Sequence, residues 1–106
     1  MNQDPVYVSF GTMEKFISEV LQKAGVPDDD AAIVADVLIT ADKLGIDSHG
    51  FNRLKPIYLD RIGDGILNPV TQFDVVKEGP ATAVVDGHNG MGHVIAKRSM
   101  QMAIDK

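Results

Sequence analysis

The run Leu44-Gly45-Ile46-Asp47-Ser48-His49-Gly50-Phe51-Asn52-Arg53-Leu54 gathers the residue types that can move a proton and grip an anion. Histidine is the side chain whose ordinary pKa lies near neutrality, so His49 can give or take a proton at working pH. Arg53 offers a planar fork of donors that holds a carboxylate through two parallel hydrogen bonds. If the chain is helical from Gly50 onward, positions 49 and 53 face the same way, because residues four apart stack on one side. A proton donor beside a carboxylate clamp suits an enzyme acting on a small 2-hydroxy or 2-keto acid. The plainer reading is a loop-to-helix junction in which Ser48 caps the helix and His49 is half-buried. Tyr58, one turn past Arg53, is either a wall of the same substrate pocket or a core aromatic with a satisfied hydroxyl.

The segment Ala41 to Gly65, ADKLGIDSHGFNRLKPIYLDRIGDG, resembles the start of the malate/L-lactate dehydrogenase family, the group that lacks the ordinary Rossmann domain. The likeness continues through AGVPDDDAAIVADVLITADKLGIDSHG before the motif and AVVDGHNGMGHVIAKRSMQMAI after it, nearly the whole chain. That family includes malate, sulfolactate and ureidoglycolate dehydrogenases and cyclic-imine reductases. The resemblance implies that Ser48 and His49 form a charge-relay pair with His49 as proton donor, and that Arg53 binds the substrate carboxylate. It implies NAD or NADP as cofactor and a small 2-hydroxy or 2-keto acid, malate or lactate first, as substrate. Family members are several times longer, and most of their nicotinamide site and a second acid/base histidine lie downstream. Residues 1–106 are therefore expected to be an amino-terminal, substrate-side subdomain that is inactive alone, with the cofactor domain missing downstream. Two alternatives stay open. One is a cyclic-imine reductase using the same residues on a C=N bond; the other is a non-catalytic, truncated module that folds and dimerises.

At 106 residues the chain has room for one domain with a small core. Its 44% apolar and 24% charged residues match a soluble globular protein. A net charge of −5 argues against a nucleic-acid or anionic membrane partner. The absence of cysteine excludes disulfides and thiolate metal sites and fits a reducing compartment. MNQDPVYVSF has neither a basic region nor a long apolar run, so no secretory signal is expected. No stretch approaches the ~20 apolar residues of a membrane span, and a cytoplasmic location is expected.

Four helices and a hairpin should carry the motif, giving a mixed α/β (α+β) fold. Met13, Phe16, Ile17, Val20 and Leu21 make one apolar stripe over Phe10 to Ala24, with Ser9 or Thr12 as cap and Gly25 and Pro27 as stop. A second helix starts at Asp28-Asp29-Asp30, which suits the positive end of a helix dipole better than a metal site, and Gly45 ends it. Its body, AAIVADVLITADKL, should be the most buried, leaving apolar surface for the missing domain or a second subunit; a homodimer is expected. A third helix is predicted over Asn52 to Ile62, with Pro56 in its first turn. That places His49 just before its positive end, where anionic ligands are favoured. After the turn-rich Gly63 to Pro69, the runs Phe73 to Glu78 and Ala81 to Asp86 read as strands of a hairpin turning at Gly79-Pro80. A last helix begins near Met91 and is still running at Lys106 without a cap, as a truncated element would be.

Gly87-His88-Asn89-Gly90-Met91-Gly92 lies between strand and helix, as phosphate loops do. But its glycines run G-x-x-G-x-G, the reverse of the dinucleotide fingerprint, and a structural turn is the better reading. Cofactor-binding residues are thus not identified. His88 and His93 are five apart and cannot share a helical face as metal ligands; both read as surface or half-buried histidines, and no metal is expected. Lys55 and Arg61 read as solvated helix charges.

Overall fold

Two helices open the fold and end in the same way. In the computed structural model, which describes residues 4–106, Ser9 Oγ accepts the Thr12 N–H at 3.2 Å and starts α1, Phe10–Lys23. (The absence of a basic leader was read partly on Met1–Gln3, outside the described residues.) Gly25 takes φ +101°, and the Gly25 and Val26 N–H groups close back onto Gln22 and Leu21 carbonyls. The same closure ends α2, Asp28–Lys43: Gly45 takes φ +78°, and Gly45 and Ile46 donate to Asp42 and Ala41. A side chain at either glycine would meet the left-handed penalty, which is why the helices stop there.

Helix α2 is the central element, as its sequence predicts. Ala31, Val34, Ala35, Leu38 and Ile39 are buried, against Ile17 and Leu21 of α1. Phe16 leaves the predicted stripe: it is half-exposed and its ring lies tilted against Phe51, 6.2 Å between centroids. The acidic cluster begins α2 as expected, but its third member does more than cap. Asp30 is only 4% exposed and accepts Arg98 Nη2 at 3.1 Å, tying α2 to α4, Gly92–Asp105. Arg98, which interrupts the apolar period of α4, is thereby explained. Asp30→Ala should cost roughly 1.5–3 kcal/mol, towards the low end because Arg98 stays partly hydrated. A urea unfolding midpoint unchanged from the parent would show that the pair contributes nothing.

Strands β1, Asp74–Glu78, and β2, Ala83–Asp86, form the antiparallel hairpin, with register Asp74↔Asp86, Val75↔Val85, Lys77↔Val84 and Glu78↔Ala83 and a bulge at Val76. The second strand is shorter than predicted because Gly79 N–H donates to the Thr82 carbonyl at 2.8 Å, which draws Ala81 and Thr82 into the turn. The result is the mixed α/β fold expected, with four helices and a two-stranded sheet among the described residues. Among the described residues no helix is long and apolar enough to cross a membrane.

The third helix departs from expectation. In place of one α-helix over Asn52 to Ile62 there are two 3₁₀ turns, Asp47–His49 and Phe51–Arg53, a π-helical turn, Leu54–Leu59, and one α-turn, α3, Asp60–Gly63. Pro56 is the physical reason. It has no N–H to give and its ring would strike the carbonyl four residues back, so the coil widens and Asp60 N–H reaches the Lys55 carbonyl, five residues back. No α-helix begins beside His49, so the expected helix-dipole field is missing there.

Candidate active site

The motif is held by α2. Asp42, in its last turn, accepts the Phe51 N–H on Oδ2 at 2.9 Å and so caps the second 3₁₀ turn from nine residues away. Gly50 passes directly over that carboxylate and is buried; a Cβ there would overlap the Asp42 side chain. The glycine of Ser-His-Gly is thus a requirement of space. Ser48 does not cap a helix and His49 is exposed, so the loop-to-helix reading of these two residues fails. Instead Ser48 Oγ lies 2.8 Å from His49 Nδ1. With Nδ1–H donating to Ser48 Oγ, Nε2 is the nitrogen left to exchange a proton with a ligand.

Arg53 turns back on the same loop. Its Nε–H donates to the Ser48 carbonyl at 2.6 Å, which fixes the plane of the guanidinium and leaves the terminal nitrogens for another partner. Of the carboxylates that might have claimed Arg53 structurally, Asp60 is held by Lys55 at 3.1 Å instead. Lys55 is therefore an exposed but paired charge.

His49, Arg53, Tyr58 and His93 form the polar lining of one cleft of about 390 Å³, with Val37, Leu38 and Ala41 of α2 and Ile57 as its apolar wall. Tyr58 reaches it because of the π-turn. Residues five apart on an α-helix diverge by about 140°, whereas a coil closed five residues back stacks them. Tyr58 is 8% exposed and packed in the core, and its hydroxyl edges the cleft 3.2 Å from either ring nitrogen of His93. Burial pushes the Tyr58 hydroxyl above its ordinary pKa, against the pull of Arg53 and Arg61, and pushes His93 below its own. At neutral pH the pair is a protonated phenol against a neutral imidazole.

His93 is the residue that sequence reading did not assign to the cleft. It lies 35 positions from Tyr58, and only the packing of α4 beside the π-turn brings the two together. His88 goes elsewhere, its Nε2 2.5 Å from Asp74 Oδ2 on the hairpin, so the two histidines share no site. Among the described residues no group of three or more histidines and carboxylates is placed to hold a metal ion.

Three of the six amides of the glycine loop are committed within the fold: His88 N–H to Asp86 Oδ1, Gly90 N–H to the Gly87 carbonyl, and Met91 N–H to Thr71 Oγ1, all at 2.9 Å. Asn68 braces the outside by donating to the carbonyls of His88 and Asn89. His88 and Asn89 take φ +51° and +56°, completing a tight structural turn.

The fold and the cleft define a class. A family model for malate/L-lactate dehydrogenases matches residues 8–106, and the chain belongs to that family. It is 47% identical over 93 residues to the L-sulfolactate dehydrogenase of Methanocaldococcus jannaschii, a match covering 88% of this chain and 27% of that protein. With the malate dehydrogenase of Pyrococcus horikoshii it shares 50% identity over 91 residues, 86% of this chain and 25% of the other. The crystal structure of malate dehydrogenase from Entamoeba histolytica superposes with a TM-score of 0.93 at 41% identity, covering 96% of this chain and 28% of that one. The chain thus spans about a quarter of the length of the curated relatives it matches.

Proposed function

We propose that residues 1–106 are the substrate-side part of a nicotinamide-dependent dehydrogenase that interconverts a small 2-hydroxy acid and its 2-keto acid, with malate or lactate as the acid. The observation that carries this reading is the convergence of His49 and Arg53 on one cleft, with Ser48 on the far nitrogen of the histidine. The relatives are malate, sulfolactate and ureidoglycolate dehydrogenases, whose named substrates share a hydroxyl on the carbon next to a carboxylate. In the reducing direction the doubly protonated His49 ring gives its Nε2 proton to the carbonyl oxygen, and in the oxidising direction the neutral ring, its Nδ1–H still held by Ser48 Oγ, takes that proton back on Nε2. Ser48 orients the ring. Arg53, held by the Ser48 carbonyl, grips the carboxylate with its terminal nitrogens, and the buried Tyr58 hydroxyl donates to the substrate from the same side. The apolar wall of α2 keeps water from the reacting carbon.

The nicotinamide, NAD or NADP, is assigned to parts of the enzyme other than these residues, since the glycine loop is a tight turn with the reverse of the dinucleotide spacing and three of its amides already taken. Exposed Val76, Val84, Met100 and Ile104 leave apolar surface on the hairpin and α4 for those parts or for the second subunit of a homodimer. The cysteine-free composition fits a cytoplasmic enzyme.

Reduction of oxaloacetate and pyruvate by the full-length protein, with NADH and with NADPH, tests the reading directly. Arg53→Lys keeps the charge and loses the fork. Losing a charge-assisted hydrogen bond of ~1.5–3 kcal/mol should lower kcat/KM about ten- to a hundredfold. A variant that melts earlier but keeps its kinetics would make Arg53 a structural residue.

A further inference from the structure

Four polar side chains face the cleft, and the proposed reaction employs only three of them. Arg53 takes the carboxylate, His49 serves the reacting oxygen, and Tyr58 donates beside them; His93 is left without a task. Its position is not that of a core histidine. The Tyr58 hydroxyl is equidistant from Nδ1 and Nε2, 3.2 Å from each, so it is in line with neither nitrogen, and both stay available to a second partner. The two rings are tilted by 48° at 5.6 Å, a contact that a small rotation of either ring would turn into a directed hydrogen bond.

The charge around this pair is one-sided. The chain carries 15 acidic residues, yet among the described residues none lines the cleft. Arg53 and Arg61 both act on the Tyr58 hydroxyl. A neutral imidazole can give its N–H to the phenol oxygen while the phenol O–H points outward, so that the pair ends in a donor aimed at an incoming acceptor. With Arg53's Nε tied to Ser48, its terminal nitrogens suffice for one carboxylate and no more. A substrate with a second acidic group needs a second set of donors, on a different wall. Helix α4 supplies it through His93.

Resting on the dehydrogenase reading above, we infer that Tyr58 and His93 form a second anion subsite that makes the cleft selective for 2-hydroxy diacids over 2-hydroxy monoacids. His93 is the specificity-determining member, because Tyr58 also packs in the core and its loss would disturb more than recognition. A monoacid such as lactate leaves the subsite with only a methyl group to face, and the donors go unanswered.

The test compares oxaloacetate with pyruvate in the full-length protein. The ratio of their kcat/KM values should favour oxaloacetate in the parent and fall by roughly tenfold in His93→Leu. His93→Gln keeps a donor and should recover part of the ratio, which a variant damaged only in its packing would not do. Equilibrium titration of the same two acids without any nicotinamide should show the same fall in the preference for the diacid. Equal losses on both acids, or an unchanged ratio, would overturn the inference. If neither acid is turned over with either nicotinamide, the dehydrogenase reading falls; diacid binding in the titration that then ignores His93 would remove the subsite as well.

Discussion

His49→Ala should lower kcat for reduction of oxaloacetate or pyruvate by ~10²–10⁴ in the full-length enzyme and leave its unfolding midpoint nearly unchanged. The size follows from the role: general acid catalysis by a positioned side chain is worth about that much, and water entering the gap is a poorly placed substitute. The neutrality towards folding follows from the structure. His49 is exposed, belongs to a three-residue 3₁₀ turn, and has Ser48 Oγ as its hydrogen-bond partner, so truncation opens no cavity in the core. The signature should be a fall in kcat and kcat/KM together, since the proton is delivered as the transition state forms. A loss of less than about threefold would remove His49 from the chemistry.

Most of the scaffold was legible in the sequence for identifiable reasons. Apolar residues at helical spacing and a glycine-terminated stop are strong signals, and α1 and α2 end within a residue or two of their predicted limits. The hairpin was legible from two β-favouring runs around Gly79-Pro80, and only the turn length was misjudged. The third helix was not legible, because Pro56 can be absorbed in two ways. It can sit in a first turn, or it can widen the coil, and nothing local to its neighbours distinguishes them. Asp30 looked like one of three equivalent capping acids, yet its pairing with Arg98 is fixed by the approach of α4 from 68 positions away. Residues close in sequence marked the candidate site, residues brought there by packing did not: Ser48, His49 and Arg53 could be picked out along the chain with the help of the family resemblance, whereas His93 and Asp42 carried no local mark.

Gly50→Ala is the change expected to damage the site most without touching any group that meets the substrate. Gly50 answers a demand of space. The added methyl would overlap the Asp42 carboxylate, which cannot retreat without giving up the Phe51 N–H that caps the turn carrying Arg53. Either Asp42 swings away and the turn loosens, or the loop lifts off α2 and carries His49 and Arg53 with it. Misplacement of catalytic groups by about an ångström can cost on the order of a hundredfold, and kcat/KM should fall by that much. Asp42→Ala alone removes the cap but relieves no clash, and should cost less. Joined with Gly50→Ala it makes room for the methyl, so the double variant should be more active than the product of the two single losses. Strictly multiplicative losses would mean that glycine is needed here for a reason other than the carboxylate beneath it. Activity within threefold of the parent in Gly50→Ala itself would mean that the loop accommodates a side chain, and that α2 does not hold the histidine and the arginine in register.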